Sequence, residues 1–216
     1  MLESKNLAVG VVTGICCQIR GEVVIDGTAS HAGTTPMDLR KDALAAAAEC
    51  MLEIEDEAKN YPQAVATVGK IEAFPGGVNV VPGQVKFSID MRNQKAALRD
   101  AMFDKCVERM KAVCEKRGVK MEVKVLMKDD EGKPCADHIQ DIVAESCEKA
   151  GLPVFKMPSG AGHDSSTFAD FCPMGMIFVR SKDGLSHNKN EYSSPEDCAA
   201  GAEVLYHTML KLATED

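Results

Sequence analysis

Tryptophan is absent from the 216 residues, and aromatic residues make up only 5% of them. That excludes a stacking platform for single-stranded nucleic acid or sugar. An excess of basic charge is also missing: 25 Lys and Arg face 33 Asp and Glu, a formal net charge of -8. Nucleic-acid binders carry the opposite sign or a basic stripe, so no nucleic-acid partner is expected. The longest apolar runs are short, such as Ala43 to Ala48. None is long enough to span a bilayer, so no membrane partner is expected. Met1-Leu2-Glu3-Ser4-Lys5 has no apolar core, so a secretory signal is not expected either. Nine cysteines are present, an odd number, without a single C-x-x-C pair. This is neither a zinc-ribbon spacing nor a secreted disulfide framework. Reduced thiols serving as small core residues, and hence a cytoplasmic location, are the simpler expectation.

Hydrophobic residues make up 45% of the chain, enough for a real core. Ile19, Gly21, Val23 and Ile25 alternate with Arg20, Glu22, Val24 and Asp26, which predicts a strand. Leu44, Ala48, Met51 and Leu52 recur at helical spacing within 43–58. Val65, Thr67, Gly69 and Ile71 predict another strand, and Val85, Phe87, Ile89 and Met91 a third. Met102, Cys106, Met110 and Val113 form a second helical stripe, closed by Gly118 at a C′ position. Val119, Met121, Val123 and Val125 alternate again. The fold class expected is therefore α/β (α+β), with a ferredoxin-like βαββαβ domain. Its sheet would be antiparallel, with both helices on one face and the other face free for a partner.

Beyond Lys128, residues 129–134 read as a linker. A helix then carries Ile139, Ile142, Val143 and Cys147, and stops at Gly151 and Pro153. A small-residue loop, 158–164, follows. Met174 to Val179 reads as a strand covered on both faces. The last helix opens with Ser194 as N-cap, Pro195 in the first turn and Asp197 three residues after the cap. Two helices and one or two strands make a thin core for an independent domain.

Several residues are suited to chemistry. His31 lies among small residues just before a predicted helix, which suits either a turn-bridging imidazole or a reactive one. Asn79 sits between the turns 75–77 and 82–83, where an Asx turn is the plainer reading. Asp90 and Arg92 are two apart on one strand and share a face. Arg92 is suited to fork onto a ligand carboxylate, or simply to pair with Asp90. His163 and Asp164 follow Ser159-Gly160-Ala161-Gly162, a loop that lets a ligand approach the backbone. His187 and Glu191 suit metal ligation only if helical, and Asn188 and Asn190 argue for a loop. His138 and His207 read as packing or surface residues. No phosphate loop, nucleophile elbow or H-E-x-x-H occurs.

Taken in order, residues 10–15, 31–37, 77–83, 90–92, 159–164, and 186–188 with Glu191 resemble one family. It is the N-carbamoyl-L-amino-acid amidohydrolase, allantoate amidohydrolase and β-ureidopropionase family, within the dinuclear-metal peptidase and aminoacylase-like superfamily. The resemblance implies a catalytic α/β domain with an inserted ferredoxin-like lid that also dimerises. Residues 1–17 would end one catalytic segment, 18–130 would be the lid, and 131–216 the C-terminal part of the catalytic domain. By the same resemblance His187 is a metal ligand, and Gln18, His31, Asn79, Arg92 and His163 bind substrate. Arg92 would hold its carboxylate, and His31 would reach the partner subunit's site. The implied partners are a small ureido or amide carboxylate and a second copy of the chain. The implied cofactors are two divalent ions: zinc or manganese, with cobalt or nickel also suited to an N/O site.

One departure stands out. The resemblance calls for an H-x-D motif, a paired Glu-Glu and a further His ahead of the segment matching Leu2-Glu3. None occurs here, so no catalytic base is assigned within the chain. The chain reads as the C-terminal portion of such an enzyme, inactive alone and without stoichiometric metal. The apolar faces around Val143, Leu205 and Met209 would pack on the missing part. The alternative is a non-catalytic dimerisation or interaction module derived from such an enzyme.

Overall fold

The computed structural model describes residues 1–214. In chain order it contains β1 (Val9–Ile15), β2 (Cys17–Asp26), β3 (Ser30–His31), α1 (Ala43–Ala58), β4 (Val65–Thr67), β5 (Ile71–Phe74), β6 (Val80–Val81) and β7 (Gln84–Asn93). There follow α2 (Ala96–Arg117), β8 (Lys120–Lys128), β9 (Lys133–Pro134), α3 (Asp137–Lys149), β10 (Lys156–Ser159), β11 (Ile177–Val179) and α4 (Pro195–Thr214). The chain divides into two compact units, residues 1–16 with those from Lys133 onward, and Cys17–Gly132.

Strict alternation in β2 and β7 builds the second unit. The strands run antiparallel from Cys17 opposite Asn93 to Asp26 opposite Gln84. β8 flanks β2, while β4 and β5 flank β7, giving the strand order of a split βαβ fold. Val23, Ile25, Val85, Phe87, Ile89 and Met91 point to one face and are fully buried there. They meet Ala46, Ala47, Cys50 and Ile54 of α1 and Met102, Cys106 and Met110 of α2. Small residues on α1 let it lie close to α2, and each large apolar side chain buried contributes about 1.5–3 kcal/mol. Asp42 caps α1 by accepting the Leu44 and Ala45 N–H groups at 2.9 and 3.0 Å. Gly118 closes α2 at φ 64°, a left-handed position that favours glycine.

The stretch from Val65 to Ile71, expected as one strand, is two. β4 pairs with β7 at Arg92 to Asp90, and β5 pairs at Phe87 to Gln84. Between them Ser88 donates its N–H to Lys70 O and accepts the Lys70 N–H on Oγ, both at 3.0 Å. That side-chain bond breaks the regular ladder.

The first unit is richer than its sequence suggested. β1 is nearly all buried and sits centrally, parallel to β10 and antiparallel to β9 and β11. The strand covered on both faces is thus β1, not 174–179, where only Ile177–Val179 is extended and Val179 is 36% exposed. Met157 to Ser159, read partly as loop, extends the sheet as β10, and Lys133–Pro134 adds β9 to what read as a linker. α3 and α4 cover one face through Ile139, Val143, Cys147 and Val204. Val143 is 2% exposed, so it is packed rather than open, whereas Leu205 and Met209 are exposed. These two line an apolar groove of about 670 Å³ with Met174, Ile177 and Leu212.

α4 starts as expected. Ser194 Oγ accepts the Asp197 N–H at 3.0 Å, and Asp197 in turn takes both Arg180 Nε at 3.0 Å and Nη2 at 2.9 Å. The Arg180 guanidinium holds the Asp197 carboxyl below the usual aspartate range.

Candidate functional site

Each unit carries its own cluster of the residues singled out above. In the second unit the alternation that buries Met91 turns Asp90 and Arg92 to the helix-free face. Arg92 donates from Nε to Asp90 Oδ1 at 2.7 Å and from Nη2 to Oδ2 at 2.8 Å. Arg20, directly opposite Asp90 on β2, donates from Nε to Oδ2 at 3.0 Å. The ion pair with Asp90, the plainer of the two expectations for Arg92, is therefore formed. The Arg92 guanidinium beside Asp90 lowers that carboxyl's proton affinity, with Arg20 adding to it.

Gln18 is the register partner of Arg92. Its backbone is pinned: its N–H donates to Asp129 Oδ2 at 3.0 Å, and its carbonyl accepts the Asp129 N–H at 3.0 Å and Arg99 Nη1 at 3.3 Å. Gln18 Oε1 is buried and accepts no hydrogen bond among the described residues. Arg99, fully buried on α2, was missed from the sequence. Besides the neighbouring Asp100, it binds the distant Gln18 and Asp129 carbonyls, and no local pattern marks those.

His31 and Asn79 come together across the two-residue ladder of β3 and β6. His31 pairs with Val80, and the Ala32 N–H donates to Asn79 O at 2.9 Å. The helix expected just after His31 begins only at Ala43, with a single 3-10 turn at Met37–Leu39 between. His31 bridges the turn instead: its Nδ1 accepts the Gly33 N–H at 3.0 Å and its carbonyl accepts from Thr34 and Thr35. An accepting Nδ1 places the proton of neutral imidazole on Nε2, which makes Nε2 a donor. The ring and Asn79 are exposed, as are Met37, Leu39 and Val78 beside them.

In the first unit His163 stands at the N-cap position of the short 3-10 helix Asp164–Thr167, where its carbonyl accepts the Ser166 N–H at 3.0 Å. Its Nε2 lies 2.7 Å from Ser159 Oγ, and its ring leans on Phe178 with centroids 5.8 Å apart. Ser159, another residue missed from the sequence, is buried at the end of β10 and also bonds Ala161. His163, Ser159, Ser186 and Glu191 line a groove of about 350 Å³. His187 is exposed at φ 55°, and its N–H donates to Glu191 Oε2 at 2.8 Å. The segment is a loop, as the two asparagines indicated, and Glu191 shapes its turn.

A two-ion centre needs a bridging carboxylate and several ligands for each ion. Among the described residues no three His, Cys, Asp or Glu side chains gather so as to hold an ion. The described residues thus do not make up such a centre by themselves. No helix among them is long and apolar enough to cross a membrane.

N-carbamoyl-L-amino acid amidohydrolase of Geobacillus stearothermophilus is 44% identical over 215 residues, which is 99% of this chain and 52% of that protein. Allantoate amidohydrolase of Escherichia coli (strain K12) is 36% identical over 214 residues, 99% of this chain and 52% of that protein. A crystal structure of an amidase of the hydantoinase/carbamoylase family from Burkholderia multivorans superposes with a TM-score of 0.96 at 33% identity. It is matched over 100% of this chain and 52% of its own. The chain spans about half the length of the relatives it matches. Residues 2–211 match the family described as "Peptidase family M20/M25/M40", and the chain belongs to that family.

Proposed function

We propose that this chain serves a metal-dependent amidohydrolase that cleaves a linear amide or ureido C–N bond. The substrates would be N-carbamoyl-L-amino acids, allantoate or related ureido acids. The observation that carries this reading is the likeness over nearly the whole chain to relatives bearing those names. Two divalent ions, zinc or manganese before cobalt or nickel, would supply the Lewis acid of the reaction. His187 is the ligand we assign to them.

The chain's own residues would recognise the substrate. Arg92 suits the carboxylate, since a guanidinium meets a planar anion with two donors. Gln18 Oε1 is a buried acceptor lacking a donor among the described residues, and a ureido N–H would satisfy it. Asn79 offers an amide at an exposed turn. His31, a donor at Nε2, suits an oxygen that gains negative charge. His163, held by Ser159, faces the groove of the first unit. We assign the second unit the role of a lid that pairs with a second copy of the chain. The exposed Met37, Leu39 and Val78 suit such a contact.

Turnover of N-carbamoyl-L-alanine and allantoate, with metal content by elemental analysis, tests this reading. Completed with the remaining part of such an enzyme, the chain should hydrolyse at least one of them, and hydrolysis of neither removes the reading. The 216-residue chain should show no turnover and hold fewer than two ions. Two tightly held ions with turnover would instead make His163, Asp164, His187 and Glu191 the ligands to test. In the enzyme so completed, Arg92→Ala should raise KM about ten-fold or more with a smaller change in kcat. An unchanged KM would strike Arg92 from the site.

A further inference from the structure

Ser159 Oγ lies within hydrogen-bond reach of three atoms: Ala161 N at 3.2 Å, Ala161 O at 3.1 Å and His163 Nε2 at 2.7 Å. A hydroxyl has one proton to give, so it cannot donate to both Ala161 O and the imidazole. Distance separates the two. Hydroxyl donors sit about 2.7–2.8 Å from their acceptors, and N–H donors about 2.9–3.0 Å. The 2.7 Å contact with His163 is therefore that of a hydroxyl donor, while Oγ accepts the Ala161 N–H. We propose that Ser159 is a positioning residue for His163, donating to Nε2 and so holding the neutral imidazole with its proton on Nδ1. The ring then presents an N–H donor to the groove it lines. This rests on, and deepens, the substrate-binding role proposed above for His163.

Ser159 can hold another side chain because it is itself fixed. It ends β10, is fully buried, and its carbonyl accepts the Cys16 N–H at 2.9 Å beside the end of β1. The loop that follows gains little from packing at its glycines. A Cβ at Gly160 or Gly162 would meet no atom within 4 Å beyond the chain neighbours. The Ser159 hydroxyl ties this loop from inside, at Ala161 and at His163. The imidazole also leans on Phe178 of β11, with the ring planes at 51°. With Nε2 turned to Ser159, Nδ1 has no hydrogen-bond partner among the described residues.

The tautomer decides which atom of a ligand the ring recognises. An Nδ1–H bonds a carbonyl or carboxylate oxygen and turns away an N–H group, and a bare Nδ1 would do the reverse. A ureido acid carries both kinds of atom, so a fixed tautomer restricts the orientation in which it is accepted. The ligand also meets one form of the ring and does not have to select it on binding.

The test uses the 216-residue chain with ¹⁵N-labelled histidine, kept metal-free by a chelator. Long-range ¹H–¹⁵N NMR is recorded at about pH 8.5, where imidazole is neutral. The two nitrogen shifts of His163 report how the proton divides between Nδ1 and Nε2. His163→Gln identifies those signals among the five histidines. Variants are Ser159→Ala, Ser159→Thr and Phe178→Leu, with folding checked by far-UV circular dichroism. The parent should hold mainly the Nδ1–H form. In Ser159→Ala the ratio of Nδ1–H to Nε2–H should fall about ten-fold, the equivalent of one hydrogen bond. Ser159→Thr, which keeps the hydroxyl, should keep the Nδ1–H form. Phe178→Leu, which removes the ring contact but not the hydroxyl, should leave the ratio near the parent's. A parent mainly in the Nε2–H form would overturn the proposal, as would equal ratios in the parent and folded Ser159→Ala. A shift in Phe178→Leu as large as that in Ser159→Ala would overturn it too, because packing would then set the tautomer. Ser159→Ala and Phe178→Leu decide the matter even where the extra methyl of Ser159→Thr prevents folding. No ligand enters this measurement, so it stands apart from the substrate class. Failed turnover of both N-carbamoyl-L-alanine and allantoate would remove that class and leave the hold of Ser159 on His163 in place.

Discussion

Asp90 shows how a single side chain ties stability to pH in this protein. Its carboxyl is held below the usual aspartate range first by Arg92 and then by Arg20. A folded-state pKa depressed in this way contributes stability above the unfolded value, near 3.9, and loses it as pH falls through the folded value. Asp90→Asn should therefore melt lower than the parent at neutral pH, and the two should converge below about pH 4. Thermal midpoints from pH 7 to 3 check this, and a gap that persists undiminished at pH 3 would contradict the linkage. The candidate histidines are held the same way, by partners close in space. His31 is set by Gly33, His163 by Ser159 and His187 by Glu191.

At the scale of elements, the His31–Asn79 ladder depends on how the chain leaves β2. Gly27 donates its N–H to Gly83 O, and Thr28 donates to Lys41 O, both at 2.8 Å. A Cβ added at Gly27 would stand 2.0 Å from Lys41 O, a backbone atom that cannot swing aside. Gly27→Ala should cost about 2 kcal/mol or more, at the upper end of overpacking. It should also disturb the His31 signals in an NMR spectrum, because β3 follows within a few residues. Denaturant midpoints measure the first effect, and a stability equal to the parent's would show that the loop adapts freely.

At the scale of the molecule, the two units differ in how completely they bury their apolar surface. In the second, α1 and α2 cover a sheet whose inward residues are almost all buried. In the first, β11 is three residues long, and α4 leaves Leu205 and Met209 open along a groove. Local stability follows such coverage. Amides of β11 and α4 should therefore exchange hydrogen faster than those of β2 and β7. Equal protection in both units would argue against this.

Much of this was legible in the sequence. Period-two alternation marked β2, β7 and β8, and helical stripes marked α2 and α3, because each buries one face and exposes the other. Helical spacing also marked α1, but Leu44, Ala48 and Leu52 are exposed, and the small residues Ala46, Ala47 and Cys50 with Ile54 form its buried face. Gly118 and the Ser194–Asp197 cap were readable because their bonds are local. β1 was less visible, since a strand buried on both faces has no alternation. β10 was hidden by Pro158 and small residues, and the break between β4 and β5 by a Ser88 side chain distant in sequence. The ordered series of short motifs also pointed to the family. Only tertiary structure decided what each candidate touches. The Arg20–Asp90–Arg92 clamp, the Arg99 and Asp129 anchor of Gln18 and the Ser159–His163 contact each depend on register or packing. Such contacts join residues far apart in sequence or reverse the chain at a loop, and no local period records them.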